Sequence, residues 1–231
     1  MVRVRHLVGP AFVAVSVATV VIACIPHPKD DFEDYTGRTA PFRNVTTVKD
    51  AEIPDTAPPT MAVDATYFGA CLSQLAAGRI DRVLRFYTET KFTPDASGGT
   101  GKLTLTITAM KLGPNSGPPE KFAKSENVGM SFSVNDVAVD AKGVYPTADF
   151  GTVNIPGESN PISGRPITIE NVKLPGRFAA KRFCSQLSGH VVQPTDIELT
   201  PAANTCIFQE AKDGDPLPSI TAAEFDNGCP L

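Results

Sequence analysis

An antiparallel, all-β domain arranged as a β-sandwich is what the chain predicts from about residue 62 onward. Three observations carry that expectation. Lys102 to Met110 alternates strictly between apolar and polar side chains, the period of a strand with one dry and one wet face. Pro156, Pro161, Pro166, Pro175, Pro194 and Pro201 interrupt the second half, leaving short strands and turns but no room for long helices. The 21 prolines and 18 glycines are many for a helical protein and ordinary for short strands joined by turns. A β-barrel is the second architecture that this pattern allows.

Along the chain, Ala65 to Thr88 is the ambiguous stretch. Ile80, Arg82, Leu84 and Phe86 alternate with Asp81, Val83, Arg85 and Tyr87 as in a strand. Ile80, Val83, Leu84 and Tyr87 also fall at helical spacing, so a helix across 65–88 would make the domain α+β. The strand reading pairs Arg79–Phe92 with Lys102–Met110 in a hairpin closed by Ser97-Gly98-Gly99-Thr100-Gly101. In the second strand Leu103, Leu105, Ile107 and Ala109 face one way. Met130, Phe132 and Val134 then share a face, whereas Val137 and Val139 take the other phase; the slip at Asn135-Asp136 predicts a bulge or a turn. Shorter strands are expected at 151–155, 167–172, 178–183, 190–192, 197–199 and 206–208. A weak echo between the segments beginning at Cys71 and Cys184 would mark two equivalent strands meeting at a disulfide.

The N-terminus carries the most specific signal. Arg3 and Arg5 precede an uncharged apolar stretch from Leu7 to Ala23, shorter than a membrane-spanning helix and ending in Val21-Ile22-Ala23-Cys24. This resembles the lipobox signal peptide of bacterial lipoproteins, in which a small residue precedes the lipidated cysteine. The resemblance covers about the first 24 residues and implies cleavage before Cys24, with acyl chains on its sulfur and new amino group. Two or more chains make a stable membrane anchor. Ile25, where an Asp would favour inner-membrane retention in enterobacterial lipoproteins, implies the outer membrane if the organism has one.

Three regions follow: a signal peptide over 1–23, a lipidated Cys24 with a Pro- and acid-rich tether over 24–61, and a β domain over 62–231. The tether holds Pro26, Pro28, Pro41, Pro54, Pro58 and Pro59 with the acidic run Asp30, Asp31, Glu33 and Asp34, a composition that cannot bury enough surface to order itself. The formal net charge is −4, and removal of Arg3 and Arg5 makes it more negative; neither nucleic acid nor an anionic membrane surface is an expected partner. With Cys24 acylated, Cys71, Cys184, Cys206 and Cys229 are an even set on the oxidising side and predict two disulfides. Three connectivities exist. The favoured one joins Cys71 to Cys184 and Cys206 to Cys229, the second as a local staple on the tail. Zinc is not expected, because no pair has the close spacing of a zinc ligand set and the domain holds one histidine, His190.

The search for catalytic residues finds little. A triad would need His190 with an unidentified serine, Asp196 being the candidate third member, and no Gly-x-Ser-x-Gly elbow occurs; His190 reads as a plain strand residue. Ser97 to Leu103 fails as a phosphate loop, since Ala96 and Leu103 stand where glycine and Ser or Thr are required. Asp213-Gly214-Asp215, Glu224, Asp226 and Asn227 offer oxygen ligands without the order of a calcium loop, and read as turn chemistry. Arg79, Arg82, Arg85 and Lys91 beside Phe86 and Tyr87 read as the solvated face of a strand, with an anionic or sugar ligand as the competing reading. The expectation is therefore a non-enzymatic, cofactor-free, lipid-anchored cell-envelope protein of the cell membrane or outer membrane, with a binding or structural role. Its partner would be an envelope protein or a glycan. The alternative is a carrier of a small apolar ligand in a barrel cavity, and a hydrolase is a distant third.

Overall fold

A computed structural model describes residues 59–231 apart from 77, 97 and 230; the signal segment, Cys24 and most of the tether lie outside the described residues. The fold is all-β and antiparallel. Twelve strands form it: β1 (Val63–Leu72), β2 (Leu84–Pro94), β3 (Gly101–Met110), β4 (Asn127–Val139), β5 (Val144–Tyr145), β6 (Asp149–Ile155), β7 (Ile167–Lys173), β8 (Gly176–Arg177), β9 (Arg182–Gln186), β10 (Ser188–Gln193), β11 (Ile197–Leu199) and β12 (Thr205–Glu210). One short helix, α1 (Ala222–Asp226), follows.

An eight-stranded sheet runs β4-β3-β2-β1-β12-β9-β8-β5, and a four-stranded sheet runs β11-β10-β7-β6. The large sheet curls as a half-barrel, bringing its edge strands β4 and β5 toward each other, and the small sheet packs across its concave face. Between the sheets lies the main core. Leu103, Leu105, Ile107 and Ala109 supply the β3 face of it, as the alternation predicts, and Val153, Ile155, Ile169 and Val191 answer from the small sheet. At its centre Phe183 stacks on Phe208 with ring centroids 4.4 Å apart, and Tyr67 and Phe178 meet Phe183 at 5.0 and 5.4 Å. Gly176 admits the ring of Tyr145 here: a Cβ would lie 2.3 Å from both the Tyr145 hydroxyl and the Cys184 carbonyl oxygen. The fully buried Tyr145 hydroxyl is hydrogen-bonded to Ser185, and burial pushes its pKa well above the ordinary tyrosine value.

The β2–β3 hairpin closes as expected. Gly98 and Gly99 take positive φ (71° and 76°), and Gly98 N donates to Asp95 O at 2.9 Å. The expected slip in β4 is a bulge: Leu103 faces Val137 and Leu105 faces Val134, with Asp136 at φ 55°. A second irregularity lies between Phe132 and Val128, next to Gly129 at φ 73°. It throws Met130 outward to 77% exposure, although alternation groups it with Phe132 and Val134.

Two expectations are corrected by the strands themselves. Residues 65–88 are not helical. They form β1, two short 3-10 turns and the start of β2, so the partner of β3 begins at Leu84 and not at Arg79. The helix-like spacing arises because both faces of β2 are covered: Leu84 and Phe86 enter the main core, Val83 and Tyr87 a second cluster behind the sheet. Of the expected strand over 178–183, only Arg182 and Phe183 lie in a strand, the start of β9; Phe178–Lys181 is the link from β8.

The second cluster is built by the loop after β3 and by the C-terminal segment, which cross the convex face of the large sheet. Phe122 stacks on Tyr87 at 4.5 Å and, with Phe225, joins Phe68, Met110 and Ile207. The two covering segments are hydrogen-bonded to each other, Phe122 N to Asp215 O at 2.9 Å and Gly214 N to Phe122 O at 2.7 Å. Thr66 Oγ1 donates to Ala211 O at 2.5 Å, tying the C-terminal segment to β1.

One feature of the main core offers a stability test. Thr88 and Thr90 are fully buried, and their hydroxyls have no hydrogen-bond partner among the described residues. A buried hydroxyl without a partner loses the hydration it had in the unfolded chain. Thr88→Val should therefore stabilise the domain by about 1 kcal/mol, read as a higher denaturant midpoint with unchanged slope. A fall in the midpoint would contradict the unpaired hydroxyl.

Candidate functional site

The four domain cysteines form two disulfides, but not in the expected pairs. Cys71 is bonded to Cys206, and Cys184 to Cys229. Strand order and side-chain parity explain the correction. Strand β12 lies between β1 and β9, so Cys71 stands directly opposite Cys206, and both enter the main core. Cys184 is one residue beyond the core-facing Phe183 and pairs in register with Ile207 of the rear cluster. A one-residue step reverses the face, which turns Cys184 away from Cys71 and toward the C-terminal segment carrying Cys229. The strands that carry Cys71 and Cys184 flank β12 on either side, but the two cysteines turn to opposite faces and no disulfide joins them.

The acidic C-terminal residues make structural contacts. Asp213 Oδ1 accepts from Lys124 N at 2.6 Å, and Asp215 Oδ2 accepts from Lys212 N at 2.9 Å. Glu224 accepts from Thr221 N and Oγ1, capping α1, and pairs with Arg182 at 2.5 Å. Partial burial works against the Glu224 charge, but those hydrogen bonds and Arg182 more than offset it and hold its carboxyl below the usual range. Among the described residues no cluster of His, Cys, Asp or Glu could hold a metal ion.

His190 stands in β10 with its ring nitrogen Nε2 2.5 Å from Asp196 Oδ1, a pair at the exposed β10–β11 connection. The ion pair Arg79–Asp81 is likewise at the surface, with nitrogen and oxygen 2.7 Å apart.

Arg85 is different. It does not lie on a solvated strand face, as its alternation with Phe86 and Tyr87 suggests, but is only 8% exposed. It projects from β2, opposite Ala70 of β1, onto the convex side of the sheet, where the C-terminal segment covers it. There it lines a groove of about 200 Å³ whose walls are Phe68, Ile80, Val83, Leu217, Ile220 and Phe225, with Pro118, Pro218 and the exposed Ser219 at its lining. Among the described residues the one hydrogen bond of its guanidinium runs from Nη1 to the backbone oxygen of Val83 at 3.2 Å. Burial lowers its pKa from the usual arginine value, partly countered by the charge of Asp81; a guanidinium still keeps its proton at any ordinary pH. Sequence reasoning sees Arg85 but not its burial, because the covering residues lie some 130 positions further along the chain.

Between the two sheets, a void bounded by side chains such as Leu84, Ile107, Phe132, Val172 and Phe208 measures about 30 Å³, room for a water or two. Comparison with protein-family models, with curated proteins and with solved structures finds no match for this chain.

Proposed function

We propose that this chain is a lipid-anchored, non-catalytic binding protein of the bacterial cell envelope. Acyl chains on Cys24 hold it to the cell membrane or outer membrane, on the exported side. The observation that carries the reading is the use of cysteine. Of five cysteines, four are joined pairwise inside the β domain. The fifth is Cys24, placed directly behind Val21-Ile22-Ala23. Two disulfides suit an oxidising compartment, and a thiol outside them is what a lipobox needs.

A binding role is favoured over the carriage of an apolar ligand between the sheets, because the intersheet void of about 30 Å³ is smaller than any such ligand. The groove that Arg85 lines supports the binding reading.

The anchor is tested by labelling the producing bacterium with radioactive palmitate. The wild-type protein should take up label and Cys24→Ser should take up none, the mutant also keeping its uncleaved N-terminus. Persistent label in Cys24→Ser, or a mature N-terminus elsewhere, defeats the assignment.

A further inference from the structure

We propose that the groove on the convex side of the large sheet binds a small organic carboxylate with a compact apolar body, its carboxylate held by Arg85. The proposal gives a ligand class to the binding role argued above, but it rests on the groove and not on Cys24.

The argument begins with charge. Arg85 is about nine-tenths buried, and among the described residues its only hydrogen bond is to the carbonyl of Val83, two residues away on its own chain. Buried cations are normally paired, since removing one from water without a counter-charge is costly. The nearby acid is not in place to do this: Asp81 binds Arg79 through two hydrogen bonds, of 2.7 and 3.2 Å. Arg85 thus keeps N–H donors without a protein partner among the described residues, at the groove it lines. A guanidinium presents parallel N–H groups that match the two oxygens of a carboxylate.

Shape and lining set the rest of the ligand. Beyond Arg85 and Ser219, the residues that line it are apolar, among them Phe68, Val83, Leu217, Ile220 and Phe225. An apolar cavity of about 150 Å³ is enough to take up benzene, so about 200 Å³ accommodates one ring or a short branched chain next to the charge. A long acyl chain is too large. An inorganic anion would leave the apolar walls unused, and a neutral hydrocarbon would leave the guanidinium unpaired.

The test is a fluorine NMR titration of the purified full-length protein with para-fluorobenzoate, detergent alone serving as blank. Para-fluorobenzyl alcohol supplies the same body without the charge, and acetate the charge without the body. The acid should bind at least about ten-fold more tightly than either. Arg85→Gln should weaken the acid by about ten- to hundred-fold, the weight of a charge-assisted bidentate pair, while leaving the alcohol unchanged. Ser219→Trp, at an exposed position on the groove, should obstruct both ligands without lowering the melting temperature. Equal binding of acid and alcohol, no binding of the acid, or full affinity in Ser219→Trp each overturns the proposal. The Ser219 variant decides the matter even if Arg85→Gln fails to fold. Loss of the titration leaves the palmitate result untouched, and an unlabelled wild type leaves the titration untouched, so the two readings fail separately.

Discussion

Replacing Cys71 and Cys206 together by alanine should lower the unfolding free energy by about 5 kcal/mol. The bond closes a loop with a sequence separation of 135, and cross-linking so long a loop removes that much chain entropy from the unfolded state. Both residues are buried in the main core, so the shortened side chains also leave unfilled volume between the sheets. For a domain of this size the melting temperature should fall by roughly 10–20 °C. Thermal unfolding followed by circular dichroism, under conditions that keep Cys184–Cys229 oxidised, makes the measurement. A fall of under about 1 kcal/mol would mean that the unfolded chain is already constrained without the bond.

Phe183→Ala should cost about 3–5 kcal/mol. Phe183 is fully buried and meets three other rings, Phe208, Tyr67 and Phe178. Each pair adds roughly 0.5–1.5 kcal/mol to the burial of the ring itself. Its neighbours come from β1, β12 and the link after β8, so no one segment can move in to fill the space. The denaturant midpoint should drop while the slope stays constant. A cost below about 2 kcal/mol would show that the aromatic cluster collapses around the gap.

Where a strand has one wet face, its sequence pattern is easily read. β3 alternates Lys102, Thr104, Thr106 and Thr108 with Leu103, Leu105, Ile107 and Ala109, and the structure buries the second set while leaving Lys102 exposed and Thr104 and Thr106 half-buried; Thr108, near the strand's end, is buried as well. The bulge at Asp136 was legible for the same reason, since a phase change on a half-wet strand shows at once. β2 resists such reading because the large sheet is covered on both sides. Val83 and Tyr87 are as buried as Leu84 and Phe86, which leaves two overlapping apolar patterns and the false suggestion of a helix. The number of disulfides followed from an even set of cysteines. Their pairing did not, because it depends on β12 entering between β1 and β9 and on the face each cysteine takes there. Arg85 belongs to the same kind of information: its charge is written locally, but its burial is imposed by Leu217, Ile220 and Phe225.

The two disulfides interlock in chain order, first cysteine of the domain to third and second to fourth. A chain that emerges N-terminus first presents Cys71 and Cys184 together before Cys206 has appeared. Any bond formed at that stage would be non-native, and reaching the mature pairs from it would take thiol–disulfide exchange once the last strand and tail arrive. Strand β1 likewise waits for β12 across the same interval. The native disulfides can close only when the last strand and the C-terminal segment are in place, and early oxidation is the event from which an isomerising thiol catalyst would rescue this topology.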